Sequence, residues 1–205
     1  MEIRSMLFAG SALIVASALA INQPLAGERG NGSKGTEGGI LLPAGQFSFT
    51  SQGSFAICLD PSTFAQEPCT TGGALVLPLT VLDNGASVFD EFGNSCTTYT
   101  QVDTDLPADA SPPSVTANIH IAGKPLDYDS STGIGDNSIT GYTGGSCNGA
   151  TFDSSGATEI YRATGHFVVS EGGNRLDSII TALTNPANSI GAFSASGTDL
   201  RQTRP

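Results

Sequence analysis

The sequence is poor in positive charge and contains no tryptophan. Nineteen aspartates and glutamates outnumber eight lysines and arginines, which gives a formal net charge of −11. A chain this acidic repels phosphate backbones and anionic lipid surfaces, so we exclude nucleic acid as a partner. The absence of tryptophan weighs against a sugar-binding cleft built on an aromatic platform.

Histidine is equally scarce, and no C-x-x-C pair occurs. His120 and His166 are the only histidines, so a Ser–His–Asp or Cys–His catalytic site would have to use one of them. Zinc sites normally need closely spaced thiolates. Asp127-Tyr128-Asp129 resembles the start of a calcium loop, but Thr132 and Ser138 stand where that loop needs glycine and glutamate. We therefore assign no catalytic residue, no metal ligand and no cofactor.

Residues 1–20 are predicted to be a cleavable signal peptide. Arg4 precedes an uncharged, mostly apolar run from Ser5 to Ala20, and Ala18-Leu19-Ala20 supplies the small-x-small pattern of a cleavage site. Cleavage is expected after Ala20, with Ala18 as the alternative. No second apolar run is long enough to span a bilayer. The sequence thus predicts a secreted, periplasmic or cell-surface protein with no membrane span after cleavage.

Residues 21–43 have the composition of a flexible tether. Six glycines fall among Asn, Ser, Lys and Glu in this stretch, and such a segment buries too little apolar surface to offset its ordering entropy. The remaining residues, 44–205, are long enough to form one domain with a hydrophobic core. We predict a single domain there.

The four cysteines all lie in the part of the chain expected to be exported, where disulfides form. Of the three ways to pair them, we favour Cys58–Cys69 with Cys96–Cys147, because the first pair closes a short, proline-containing loop at small entropic cost. Gly145-Ser146-Cys147-Asn148-Gly149 matches a nucleophile elbow, but such an elbow needs a following helix. The next residues have a strand pattern, so we interpret Cys147 as a disulfide cysteine.

No segment keeps the apolar spacing of a helix over three turns, whereas strand patterns are frequent. Phe47 and Phe49 alternate with polar residues, and Pro78 in a long apolar run indicates a strand edge or bulge. Turns are predicted at Gln52-Gly53, Asp83-Asn84-Gly85, Phe92-Gly93-Asn94, Gly123-Lys124-Pro125 and Glu171-Gly172-Gly173-Asn174. Ten or more short strands joined in this way predict an all-β protein. We favour an antiparallel β-barrel, with a β-sandwich as the alternative.

A family resemblance supports the barrel. The segments that carry it are Gly45-Gln46-Phe47-Ser48-Phe49, Val88-Phe89-Asp90-Glu91-Phe92-Gly93-Asn94, Gly141-Tyr142, Cys147-Asn148-Gly149, His166-Phe167-Val168-Val169, Gly173-Asn174 and Gly197-Thr198. With these, the domain resembles the secreted lipocalin-like or allene-oxide-cyclase-like barrel proteins of bacteria, apart from inserted loops near 58–69 and 103–113. The resemblance implies a calycin-like fold and supplies no catalytic residue.

The leading functional hypothesis is a non-catalytic exported barrel that binds a small apolar molecule or serves as a surface module. The candidate ligand contacts are His120, His166, Phe47, Phe49 and Phe167. The phenylalanines expected in the interior are 47, 49, 55, 89, 152, 167 and 193. A cyclase-like barrel enzyme and an extracellular structural or adhesive protein remain as alternatives. A barrel of about eight strands is either filled by side chains or holds one small ligand, so an interior cavity would favour binding or catalysis.

Overall fold

The computed structural model describes residues 39–104 and 114–202, and the described chain is all β. The predicted signal peptide and most of the predicted tether lie outside these residues. The strands are β1 (Gly45–Leu59), β2 (Leu75–Phe89), β3 (Ser95–Thr104), β4 (Ser114–Asp129), β5 (Ile134–Thr143), β6 (Ser146–Asn148), β7 (Thr151–Asp153), β8 (Thr158–Ser170), β9 (Arg175–Thr184) and β10 (Ile190–Arg201). No helix in the described residues has the length and hydropathy needed to cross a membrane.

Eight of the strands form a closed antiparallel barrel, as the sequence predicted. The order around the barrel is β1-β10-β9-β8-β5-β4-β3-β2, and the short strands β6 and β7 pair separately as a hairpin between β5 and β8. Strand side chains alternate between the two faces of the wall. Phe47, Phe49 and Phe89 are buried on the inner face, while Ser48 and Thr50 are exposed outside. Closure pairs β1 with β10, which leaves the barrel without an open edge.

Two of the predicted turns lie inside long strands instead. β1 and β2 are 15 residues each and run without interruption through Gln52-Gly53 and Asp83-Asn84-Gly85. A Cβ atom on Gly85 would lie 2.1 Å from the carbonyl oxygen of Thr98 and 2.7 Å from the Cβ of Tyr99. Glycine is therefore needed at Gly85 for a close approach between strands rather than for a turn.

The predicted turn at Gly123-Lys124-Pro125 is also wrong, because β4 continues through it, with a shift in its register against β5 between Pro125 and Asp127. Pro78, in contrast, behaves as expected for a strand edge. It pairs with Ala56 of β1, whereas the pairing of β2 with β3 begins only at Thr80. The missing N–H of Pro78 therefore breaks no bond on the β3 side.

The predicted turns at Phe92-Gly93-Asn94 and Glu171-Gly172-Gly173-Asn174 are confirmed. The Asp90 carboxylate fixes the first by accepting hydrogen bonds from the backbone N–H groups of Phe92 and Asn94, at 3.0 and 2.8 Å. These turns and residues 130–133 lie at one end of the barrel, which we call the plugged end. The loops 60–74, 144–157 and 185–189 lie at the opposite end, which we call the loop end.

Residues 39–43, which the sequence assigned to the tether, pack across the plugged end. The Ile40 N–H donates to the carbonyl of Ser130 at 2.7 Å, and the Tyr128 hydroxyl donates to the carbonyl of Ile40 at 2.8 Å. Leu42 packs against the hydrophobic core cluster of this end, and Pro43 is fully buried. The buried members of that cluster are Phe47, Phe89, Phe167, Val169 and Leu176. The folded domain therefore includes residues N-terminal to Ala44.

Both predicted disulfides are confirmed. Cys58–Cys69 joins β1 to the loop 60–74, with Cα atoms 5.1 Å apart, and Cys96–Cys147 joins β3 to the β6–β7 hairpin at 5.7 Å. All four cysteines are thus oxidised, so Cys147 is no nucleophile. Two disulfides are typical of proteins that fold in an oxidising compartment.

Candidate functional site

The inner face of the barrel surrounds a cavity of about 610 Å³, which we call the lumen. It extends from Leu42 and Gly93 at the plugged end to Gln66 and Asn185 at the loop end. Apolar side chains form most of its wall, among them Phe49, Phe55, Leu79, Val81, Ile121, Ile139, Phe167, Leu176 and Ile180. Its volume falls in the range of small-molecule sites, about 300–1,000 Å³. The side chains therefore leave the barrel unfilled.

Three aspartates interrupt this apolar wall. Asp83 of β2, Asp103 of β3 and Asp199 of β10 line the lumen. Asp83 faces inward because it continues the alternation of Leu79 and Val81 on the same strand. Asp83-Asn84-Gly85 has the sequence pattern of a turn, and no motif marks Asp199. The alternation was the signal that could have placed Asp83 inside the barrel.

The buried carboxyl group of Asp83 has few hydrogen-bond partners to replace the water that it loses. It accepts a hydrogen bond from the Ser51 hydroxyl, while its Oδ1 atom is buried without a partner. Burial raises the pKa of Asp83 to about 6, and the nearby negative charge of Asp103 adds to the increase. Asp103 itself accepts a hydrogen bond from Nε2 of Gln101 at 2.6 Å.

Two tyrosines lie close to these carboxyl groups. The hydroxyl oxygens of Tyr99 and Tyr161 are 3.5 Å apart, and both side chains line the lumen. Burial is the main cause that raises the pKa of each hydroxyl. Both therefore stay protonated at neutral pH and can donate a hydrogen bond.

Asp199 is the most deeply buried of the three aspartates, at 6% exposure. The Ser87 hydroxyl hydrogen-bonds to its carboxyl group, and Ser87 in turn pairs with the Thr97 hydroxyl at 2.8 Å. The Oδ1 atom of Asp199 is buried without a partner. Burial raises the pKa of Asp199 to about 7, and the charge of Asp177 contributes in the same direction.

No basic side chain compensates the lumen aspartates among the residues that the structure describes. The ion pairs there join Arg162 to Glu159, His166 to Asp136 and Arg175 to Asp177, all on partly or largely exposed side chains. Asn137 adds another buried acceptor, since its Oδ1 atom also lacks a partner. The lumen therefore offers several hydrogen-bond acceptors and a negative charge to whatever it holds.

Neither histidine lines the lumen. His120 points outward and is covered by the β6–β7 hairpin, with its ring centre 5.9 Å from that of Phe152 and its Nδ1 atom 3.0 Å from the Thr98 hydroxyl. Burial lowers the pKa of His120. His166 is exposed and bonds to Asp136 on the outer wall.

The phenylalanines divide between the two faces of the wall. Phe49 and Phe167 line the lumen. Phe47 also faces inward, but it is buried in the core cluster of the plugged end and does not line the cavity. Phe152, predicted to be interior, stacks instead on Tyr142 outside the barrel, with ring centres 4.5 Å apart. It lies outside because the β6–β7 hairpin is not part of the barrel wall.

Comparison with protein-family models, with curated proteins and with solved structures finds no match. Over residues 39–104 and 114–202, no three His, Cys, Asp or Glu side chains come together as a metal-binding group.

Proposed function

We propose that this protein is an exported, non-catalytic barrel that binds a small, largely apolar molecule in its lumen. The observation that carries the proposal is the cavity of about 610 Å³, which combines an apolar wall with a few inward-facing polar groups. That combination is the usual composition of a small-molecule site. A barrel with a purely structural role has no need of such a space, because eight strands can be filled by side chains.

Export is part of the same proposal. The apolar N-terminal run with its small-x-small site supports it, and the two disulfides are consistent with an oxidising destination. A protein that works outside the cell has use for a closed, disulfide-stabilised scaffold.

Blocking the lumen tests the binding proposal. Leu79 lines the cavity, whereas Val76 on the same strand is 56% exposed on the outer face. Leu79→Trp is expected to weaken binding of a neutral fluorescent probe, 2-(2-naphthyl)ethanol, at least about tenfold by occupying its space. Val76→Trp is the matched control and should bind the probe as the wild type does. Failure of the wild type to bind any apolar probe, or equal binding by both variants, would overturn the proposal.

A cyclase-like enzyme is the second candidate, and Asp83 is the observation that favours it. Its pKa of about 6 lies near the value suited to a group that exchanges protons with a substrate, and Tyr99 and Tyr161 lie nearby. The two candidates differ in the fate of the bound molecule. Mass spectrometry of the molecule that co-purifies with wild type and with Asp83→Asn would find the same compound if the protein only binds it. An unconverted precursor bound to the variant alone would favour the enzyme.

A further inference from the structure

Three buried oxygen atoms in the lumen accept no hydrogen bond, because no donor lies within reach of them. Oδ1 of Asp83, of Asn137 and of Asp199 are all buried acceptors without a bond. Folded proteins pair the great majority of their buried polar atoms, so each such atom calls for an explanation. Asp199 is the clearest case, since its side chain is 94% buried and lines the cavity.

The charges around these atoms restrict which ligand can satisfy them. Asp83 lies near Ser51, Asp103, Tyr99 and Tyr161. Asp199 bonds to Ser87, and the negative charge of Asp177 acts on it from the outer face of the wall. All of these groups are acidic or neutral. Among the residues that the structure describes, Lys124 is the one basic residue along the cavity, and its side chain is exposed. An anionic ligand would be repelled, and a neutral hydrocarbon would leave the acceptors unpaired.

We propose that the molecule held in the lumen is an organic amine, bound as its ammonium ion by one of the lumen carboxylates, Asp83 or Asp199, with its apolar body against the phenylalanine-lined wall. An ammonium group supplies three N–H donors and one positive charge. An ammonium ion therefore supplies both the hydrogen-bond donors and the positive charge that the lumen aspartates lack. This inference rests on the proposed binding function and specifies the chemistry of its ligand.

The same arrangement makes binding depend on pH. Burial raises the pKa of Asp83 to about 6 and of Asp199 to about 7, so both carboxyl groups are mostly neutral at pH 5 and mostly ionised at pH 8. An alkylamine resembles a lysine side chain and stays protonated throughout this range. Binding of the amine should therefore strengthen as the pH rises from 5 to 8.

Three probes that share one apolar body test the inference. They are 2-(2-naphthyl)ethylamine as the cation, 2-(2-naphthyl)ethanol as the neutral form and 2-naphthylacetate as the anion, each titrated into the full mature chain at pH 8. The amine is expected to bind at least about tenfold more tightly than the alcohol, as hydrogen bonds between charged groups imply. The anion should bind most weakly. At pH 5 the preference for the amine should shrink.

Charge-removing variants connect the preference to the aspartates. Asparagine at the carboxylate that holds the ammonium, by Asp199→Asn or by Asp83→Asn, should reduce the ratio of amine to alcohol affinity about tenfold. Asp127→Asn removes the same charge from an exposed position on β4 and should leave the ratio unchanged. Thermal melting establishes that each variant is folded, and both lumen variants are compared with the wild type.

The outcomes separate this inference from the proposal beneath it. If alcohol and amine bind equally well and Leu79→Trp weakens both, the lumen is a binding site but not one for amines. Retention of the amine preference in both asparagine variants would likewise overturn the inference. If no probe binds the wild type, the proposed binding function itself is wrong.

Discussion

The aspartates of the turns and those of the lumen are the same side chain in opposite surroundings. Four aspartates stand where a strand gives way to a turn, and each accepts a hydrogen bond from the backbone N–H two residues further on; they are Asp60, Asp90, Asp129 and Asp153. Hydrogen bonds from turn side chains, together with these backbone bonds, hold the pKa values of the four carboxyl groups below the ordinary value, to about 2 for Asp60. Asp83 and Asp199 lie within strands, where burial raises the pKa instead.

The difference separates residues that the fold needs from residues that it does not. A turn aspartate replaces a backbone partner and directs the chain, so the local structure explains it. A lumen aspartate has an oxygen without a partner and destabilises the empty barrel when it ionises. Buried groups with raised pKa values in a cavity are typical of functional sites, which is why we assign the site to the lumen.

The largest effect is expected from Asp199→Asn, which should stabilise the ligand-free protein at pH 8. The pKa of Asp199 is about 7 in the fold, against an ordinary value of 3.8, and each pKa unit corresponds to about 1.4 kcal/mol. Removing the charge should raise the free energy of unfolding by roughly 2–4 kcal/mol at pH 8. Urea denaturation of both proteins measures the difference.

The stability gain of Asp199→Asn should depend on pH, and this dependence is the control for the prediction. Because the folded pKa is raised, the native state binds more protons than the unfolded chain between about pH 4 and 7, so wild-type stability falls over this range. His120, whose pKa burial lowers, acts in the opposite direction below its ordinary value of 6.5. The difference between Asp199→Asn and wild type cancels this contribution. A gain as large at pH 4 as at pH 8 would contradict our assignment.

A smaller effect of opposite sign is expected at a turn aspartate. Asp90→Ala removes hydrogen bonds to the backbone N–H groups of Phe92 and Asn94 and to the Asn94 side chain. It should lower the free energy of unfolding by about 1–2 kcal/mol, as for other charged hydrogen bonds. Glu91→Ala alters the exposed neighbouring residue and should change stability little. Equal effects of the two substitutions would show that the Asp90 carboxylate does not hold the turn.

The smallest effect is expected on the outer wall. Asp177 pairs with Arg175 at 2.7 Å, and both side chains are about two-fifths exposed. Exposed ion pairs contribute about 0–1 kcal/mol, so Asp177→Asn should shift the free energy of unfolding by less than about 1 kcal/mol. Half-molar salt should remove most of that shift. A gain comparable to that of Asp199→Asn would mean that burial is not what distinguishes the two positions.

Composition and local turn chemistry predicted the fold class, the barrel and both disulfides, because these follow from alternation and from the spacing of Cys58, Cys69, Cys96 and Cys147. Turns at the ends of strands were also predicted correctly, as at Phe92-Gly93-Asn94. Glycines that lie inside strands were wrongly assigned to turns. Gly85 has the sequence context of a turn, and only the three-dimensional crowding against Tyr99 gives the reason for it.

The site was harder to predict than the fold. Alternation along a strand predicts whether a side chain faces into or out of the barrel. It does not predict which part of the outer face is covered by another segment of the chain. His120 faces opposite to Ile119 and Ile121 and is nevertheless buried, because the β6–β7 hairpin folds over it. Asp83 and Asp199 are 116 residues apart in the sequence, so no local pattern joins them. The position of residues 39–43 against the plugged end likewise depends on partners far along the chain.

Carboxyl titration by carbon-13 NMR tests the central claim most directly, because one series of spectra reports on turn and lumen aspartates together. In the free protein, Asp83 and Asp199 should titrate near pH 6 and 7, while Asp60 titrates near pH 2. Saturating 2-(2-naphthyl)ethylamine should lower the pKa of at least one of the two lumen aspartates and leave that of Asp60 unchanged, since an adjacent cation favours the carboxylate. Lumen aspartates that titrate near pH 4, and that do not respond to the amine, would contradict the account.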